Sequence, residues 1–280
     1  MSFIKKYPIS FSLLLIASII VLNRIPLSNN IRHYGLDEFS SDTIEKIVFN
    51  FFVVLGSIFL VSKNKIPISY FDRNISFNAF YYLPLILYII IFSGGFSDFR
   101  DFKFSEIPYL RISLYSLKTF SSAFLEEILF RGVILGLLLY KLNKDKYGVF
   151  KSVFISALLF GSIHIINLLT ISATTFQSVF NQVYAASCLG VLYGAVYLKT
   201  RSILVLSILH FLSNFFAMIG VLEISTVIET VRITEKSFFE NISTEIVRLI
   251  IFGIPLLVGL IIIAYIDKKE VDILMHDRAK

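Results

Sequence analysis

Runs of about 20 apolar residues recur along this chain, and they limit its fold more than any other feature of the sequence. A helix of that length rises about 30 Å, which matches the hydrocarbon core of a bilayer. Hydrophobic residues make up 56% of the 280 positions, and the mean hydropathy of +0.78 is high for a soluble domain of this size. The sequence therefore predicts an all-α fold, a polytopic membrane helix bundle.

About eight transmembrane helices are expected from these runs. They cover residues 8–22, 44–62, 77–93, 112–140, 149–169, 176–198, 202–221 and 246–266. The first run follows Lys5 and Lys6 and lacks a small-residue cleavage site, so we expect a retained span rather than a removed signal peptide. We divide the chain into helices 1–3 (1–111), a core of helices 4–7 (112–221), and an outer loop, helix 8 and tail (222–280).

The basic residues indicate how such a bundle is oriented. Of the 26 Lys and Arg residues, 14 lie outside the spans on the side of the amino terminus, 7 lie on the opposite side and 5 lie within the spans. Because cytoplasmic loops are enriched in Lys and Arg, both termini are expected to be cytoplasmic. The pI of about 9.2 then reflects loops that face anionic lipid, so the lipid bilayer is the expected partner and no nucleic acid is expected.

Glu126, Glu127 and Arg131 interrupt the fourth run. A charged side chain at the centre of a bilayer costs roughly 2.5–3.5 kcal/mol on insertion scales, so these residues are expected to face protein or water and to be functional. Glu127 and Arg131 are four residues apart and share a helix face, whereas Glu126 lies about 100° away. One pair can be neutralised internally while the other carboxylate stays available. The alternative is a structural polar clamp between helices.

Two histidines and an asparagine lie at comparable depths in the fifth and seventh runs. With a rise of about 1.5 Å per residue, Glu126 and His164 lie roughly 21 and 22 Å from the cytoplasmic ends of their helices. His210 and Asn214 lie roughly 12 and 18 Å deep and share one face, because they are four residues apart. The sequence therefore predicts a polar site inside the membrane, formed by helices 4, 5 and 7.

Carboxylates and imidazoles in one site suit hydrolysis. A carboxylate beside an imidazole can deprotonate a water, and a second imidazole with an amide can stabilise an oxyanion. The same groups can ligate a divalent metal and leave a position for water. The sequence contains neither HExxH nor GxSxG, and its one cysteine, Cys188, lies in a membrane run, where we interpret it as a packing residue. Activated water is therefore the expected nucleophile.

Three motifs follow one another along the chain: EExxxR beginning at Glu126, FxxxH ending at His164 and HxxxN beginning at His210. Together they resemble the CPBP intramembrane proteases, the bacterial CAAX-protease and bacteriocin-processing group related to the type II CAAX prenyl endopeptidases. The resemblance covers about residues 115–217. The usual glycine after the threonine of the basic turn is replaced here by Arg201.

This resemblance implies a role for each polar residue. Glu126 would be the water-activating acid and base, assisted by His164. His210 and Asn214 would stabilise the oxyanion.

Glu127 and Arg131 would hold the site together. The family is named as metalloproteases, yet a metal-free glutamate mechanism has also been proposed for it. Zn²⁺ held by Glu126, His164 and His210 is therefore one expectation, and a metal-free site is the other.

The sequence thus predicts an intramembrane endopeptidase that cuts a membrane-associated or lipidated peptide, at a site reached from the cytoplasmic half of the bilayer. A prenylated C-terminus, a peptide pheromone or a bacteriocin leader would each fit. Two alternatives stay open, a non-proteolytic bacteriocin-immunity or scaffold protein and an ion-coupled carrier, although no carrier-type repeat is found. The richness in Ile, Phe, Lys and Asn suggests an AT-rich bacterial genome and hence a bacterial cell membrane.

Overall fold

The computed structural model describes residues 3–25, 35–66, 68–70, 75–92, 102–170, 175–222, 238–266 and 271. Within these residues the regular secondary structure is helical, and no strand occurs. Eight longer helices match the predicted runs in order: α1 Pro8–Leu22, α2 Glu38–Asn64, α3 Ile75–Phe92, α4 Tyr109–Glu127, α5 Gly148–Ser162, α6 Phe176–Thr200, α7 Ile203–Ala217 and α8 Phe238–Ala264. Short helical segments are Phe3–Lys6, Phe104–Glu106, Ile163–Ile166, Asn167–Thr170 and Ile219–Leu222.

The all-helical fold predicted from the sequence is confirmed for the described part of the chain. By length and composition, four helical stretches there could cross a membrane: Glu38–Asn64, Gly148–Leu169, Phe176–Thr200 and Glu245–Ala264. Three further apolar helices are shorter, namely Pro8–Leu22, Ala79–Ile91 and Ile203–Ala217. The number of eight transmembrane helices and the three-part division of the chain stay predictions.

Helix α4 continues beyond Glu127 through a π-helical segment, Ile128–Ile134, into a last α-helical stretch, Leu135–Leu142. Every residue of the π segment is buried. Segments of π-helix are rare, and those that occur are often found at functional sites. The carbonyl of Phe130 accepts a hydrogen bond from the backbone amide of Leu135, five residues later, and a second one from the hydroxyl of Ser156 at 2.9 Å. The second bond joins the π segment to α5.

Helix α6 lies in the centre of the bundle and packs closely against α5 and α8. A methyl group on Gly190 would lie 3.0 Å from Cα of Ala157, and one on Gly194 would lie 2.9 Å from a methyl of Val153. The two glycines therefore let the helices approach closely, as small residues do in membrane bundles. Because position 190 faces 157 while 194 faces 153, α5 and α6 are antiparallel.

The bundle has two ends, which we call the termini end and the distal end. At the termini end, Nζ of Lys5 lies 4.3 Å above the ring centroid of Tyr140. At the same end, Nζ of Lys199 donates a 2.7 Å hydrogen bond to the carbonyl of Tyr265. The distal end carries the amino-terminal ends of α2, α4 and α6 and the carboxyl-terminal ends of α1, α5 and α7. Successive helices therefore run in opposite directions.

Candidate active site

Glu127 is the centre of a buried ionic cluster at the junction of α4 and the π segment. Its Oε1 lies 3.2 Å from Nη1 of Arg131 and 2.8 Å from Nδ1 of His210. The side chain of Glu127 is 0% exposed, that of Arg131 2% and that of His210 8%. An ionised carboxylate can only accept hydrogen bonds, so Nδ1 of His210 carries a proton that it donates to Glu127.

Phe160 and Tyr193 enclose both partners of Glu127, namely Arg131 and His210. The guanidinium carbon of Arg131 lies 4.5 Å from the ring centroid of Phe160 and 5.1 Å from that of Tyr193. The ring of His210 lies 5.9 Å from Phe160 and 5.3 Å from Tyr193. Aromatic faces attract cations most strongly where water is excluded. These two rings, which we call the aromatic pair, therefore fix Arg131 and His210 in place.

Glu126 lies beside this cluster but faces open space. It lines a cavity of about 390 Å³ together with His164, His210 and Asn214. Its side chain is 24% exposed, and its Oε2 lies 3.6 Å from Nε2 of His210. The ring of His164 lies 6.0 Å from that of Phe160. The structure thus brings α4, α5 and α7 to one cavity, and the catalytic roles given to these residues stay predictions.

The sequence analysis missed several polar residues of the cavity wall, including Lys118, Gln182 and Tyr193. Two further tyrosines, Tyr88 and Tyr115, also line it. Tyrosines in apolar helices usually belong to the core, so no local pattern distinguishes these. Helices α3 and α6 therefore contribute to the site without a sequence motif.

A second cavity reaches the same two residues from the other side. It measures about 380 Å³ and is lined by Glu126, His164 and Lys46, among others. Nζ of Lys46 donates a 2.8 Å hydrogen bond to Oδ1 of Asn23 at the carboxyl end of α1. A larger groove of about 940 Å³ continues between α1 and α2. Glu126 and His164 thus lie between two spaces.

The expected zinc site requires three side chains that converge on one position. Among the described residues, no group of three or more His, Cys, Asp or Glu side chains is arranged to hold a metal ion. The Nδ1 atom of His210 is bound to Glu127, and Glu126 lies near the other ring nitrogen rather than beside a shared ligand position. The three expected ligands do not fit zinc as they are arranged. Zinc binding stays a prediction.

The fold and the cluster define the class of the chain: a helical integral membrane protein with a buried acid–imidazole site. Residues 109–216 match the family model described as Rce1-like, type II CAAX prenyl endopeptidase Rce1-like. The match contains all three motifs, so the resemblance noted in the sequence is confirmed over α4 to α7. No curated protein and no solved structure matches the chain.

Proposed function

We propose that this chain is an intramembrane endopeptidase that hydrolyses a membrane-associated or lipidated peptide with a water activated by Glu126. The observation that carries the proposal is the difference between two adjacent carboxylates. Glu127 is 0% exposed and engaged by Arg131 and His210, whereas Glu126 is 24% exposed and faces the cavity. The first therefore organises the site, and the second is free to exchange a proton.

Glu126 and His164 line the same cavity, so a water between them can form hydrogen bonds to both. In the proposed reaction, Glu126 takes one proton from this water while the water oxygen bonds to the peptide carbonyl carbon. The carbonyl electron pair moves to oxygen and forms a tetrahedral oxyanion. When this intermediate collapses, the C–N bond breaks and Glu126 returns the proton to the leaving amine.

His210 and Asn214 are the proposed oxyanion donors. Because Nδ1 of His210 is bound to Glu127, its Nε2 is directed toward Glu126. When the ring carries a second proton, Nε2 donates toward the oxyanion, and the carboxylate of Glu127 stabilises the imidazolium. Asn214 lies one turn further along α7 on the same cavity wall. Loss of one such donor typically lowers kcat about 10²- to 10³-fold.

The test is cleavage of lipidated and unmodified peptides by purified Glu126→Gln protein. The substitution keeps the shape of the side chain and removes the base, so we expect cleavage to fall at least about 10²-fold. The matched control is Glu106→Gln, which changes an exposed glutamate outside the cavity. Thermal unfolding and membrane insertion of both variants exclude misfolding.

Cleavage at the wild-type rate by the Glu126→Gln protein would refute the proposal. Protection of cells against a bacteriocin that survives Glu126→Gln, without any cleavage, would favour the non-proteolytic alternative. His164→Ala is expected to lower cleavage in the same direction, because His164 is the second group on the activated water.

A further inference from the structure

The cavity that contains Glu126 extends toward one end of the bundle. From Glu126 its lining runs back along α4 to Tyr115, and from His210 it runs forward along α7 to Met218. The hydroxyl of Tyr115 donates a 2.9 Å hydrogen bond to the carbonyl of Phe215. Since 115 faces 215 and 127 faces 210, α4 and α7 are antiparallel. Both rows of lining residues therefore lead to the distal end.

Helix α6 gives the same direction. Its lining residues run from Tyr193 back through Ala186 to Gln182, toward its amino-terminal end. That end is distal, because α6 is antiparallel to α5 and its carboxyl end reaches Tyr265. Three helices thus agree on where the cavity leads.

Glu126, His164 and His210 form a layer whose other side, toward the termini end, is closed. The side chains between this layer and the termini end are mostly apolar and tightly packed, and polar ones among them, such as Ser207, are buried. Side chains with 0–1% exposure include Val133, Ile134, Leu137, Val196, Tyr197 and Leu206. A peptide arriving from the termini end would have to displace this packing.

The basic residues differ between the two ends. In the described part of the chain, ten basic residues lie at the termini end: Lys5, Lys6, Lys63, Lys65, Lys141, Lys144, Lys146, Lys151, Lys199 and Arg201. On the distal side, the described residues are Arg24, Lys103 and Arg111 near the helix ends, and Lys46, Lys118 and Arg248 further into α2, α4 and α8. Short loops on the cytoplasmic side of a membrane protein are enriched in Lys and Arg. This distribution therefore puts the termini end in the cytoplasm and the distal end outside it.

From these two observations we infer that the site opens to the extracytoplasmic side, and that its substrate is a peptide that reaches the membrane from outside the cytoplasm. Such a peptide is exported or anchored in the outer leaflet. The statement about the substrate rests on the proposed peptidase function, whereas the direction of the opening rests on geometry and charge alone. It differs from the sequence-based expectation of access from the cytoplasmic half.

The test is thiol labelling in intact cells with a membrane-impermeant maleimide, in a Cys188→Ser background that removes the native thiol. Met218→Cys places a thiol at the distal mouth, where Met218 is 54% exposed, and Tyr147→Cys places one at the termini end, where Tyr147 is 59% exposed. We expect the first variant to be labelled in intact cells and the second only after lysis. A second pair, Leu169→Cys and Lys144→Cys, repeats the comparison at other helix ends.

Any other labelling pattern overturns the inference, whether position 147 reacts in intact cells or position 218 does not. Labelling measures sidedness without any cleavage, so an inactive protein still gives an answer. If the protein is active, peptide added outside intact cells should be cleaved, and peptide added to inside-out vesicles should not. Absence of cleavage in both preparations, with the expected labelling, would refute the peptidase proposal and leave the direction of the opening intact.

Discussion

The side chains of Glu127, Arg131 and His210 in the buried cluster depend on one another. Arg131 is 2% exposed and lies 3.2 Å from the fully buried carboxylate of Glu127. Removal of one partner from a buried pair leaves an uncompensated charge and typically costs about 3–5 kcal/mol. We therefore expect Arg131→Met to lower the thermal unfolding temperature strongly. Lys103→Met is the control, since the Lys103–Glu106 pair is exposed and such pairs contribute little. Equal unfolding temperatures for the two variants would contradict this account.

Tyr193 is expected to position His210 through its ring. Its ring lies 5.3 Å from that of His210 and 5.1 Å from the guanidinium of Arg131. Tyr193→Phe keeps the ring and should keep kcat, whereas Tyr193→Leu should lower kcat with little change in KM. Cation–π contacts of about 0.5–2 kcal/mol correspond to a fall of about 2- to 30-fold.

The control for this prediction is Tyr197→Leu, one turn along α6. Tyr197 is 1% exposed and accepts a 3.0 Å hydrogen bond from the amide of Ser69, away from the cavity wall. It should lower stability without lowering kcat of the folded protein. If Tyr193→Phe loses as much activity as Tyr193→Leu, the hydroxyl rather than the ring is responsible.

At the scale of residues, the sequence was sufficient to predict a site residue where a polar side chain interrupts an apolar run. Glu126 and His164 are such residues, and the structure places both on one cavity wall. Tyr193 is not, because an aromatic side chain in a helix looks the same whether it packs in the core or encloses a cation. Its contact with Arg131 joins positions far apart in sequence, which no local pattern encodes.

At the scale of elements, the π segment connects packing to the site. The hydroxyl of Ser156 donates to the carbonyl of Phe130, within the segment that carries Arg131. Ser156→Ala removes this bond, so we expect stability to fall by about 0.5–1.5 kcal/mol and cleavage to fall with it, because the π segment aligns Arg131 with Glu127. Unfolding temperature and initial cleavage rate measure the two effects.

Ser152→Ala is the matched control on α5. Ser152 is equally buried, but its hydroxyl donates to the carbonyl of Gly148 within its own helix. The expected result is a comparable or smaller loss of stability with an unchanged cleavage rate. A loss of cleavage as large as that of Ser156→Ala would show that the π segment has no special role.

Helix positions were predictable from the sequence, whereas helix starts and the π segment were not. Helix α2 begins at Glu38, six residues before the predicted span, because the side chain of Asp37 accepts a 3.1 Å hydrogen bond from the amide of Ser40 and caps the helix. A side-chain hydrogen bond from Ser40, together with this backbone one, holds the pKa of Asp37 below its ordinary value. The π segment contains Gly132 but no proline, and its Phe130 carbonyl accepts a hydrogen bond from Ser156 of α5.

At the scale of the whole molecule, the apolar runs indicate how many helices there are but not which of them are neighbours. Hydropathy treats α6 as one span among several, while the structure places it between α5 and α8 and on the cavity wall. The sealed termini side and the open distal side likewise arise from the joint direction of α4, α6 and α7. That asymmetry depends on tertiary packing, so a list of spans could not contain it.

Metal content is a property of the whole purified protein, and it decides between the two mechanisms that the motifs allow. Because Nδ1 of His210 is held by Glu127 at 2.8 Å and the expected ligands do not converge, we expect no stoichiometric zinc by elemental analysis and cleavage that persists with a chelator. A His164→Ala/His210→Ala protein, measured beside the wild type, is the control for adventitious metal. Stoichiometric zinc that is lost in this variant, together with cleavage that a chelator abolishes, would contradict the expectation. It would mean that the imidazole of His210 leaves Glu127 in the active enzyme, so that the observed cluster is a metal-free state of a metal site.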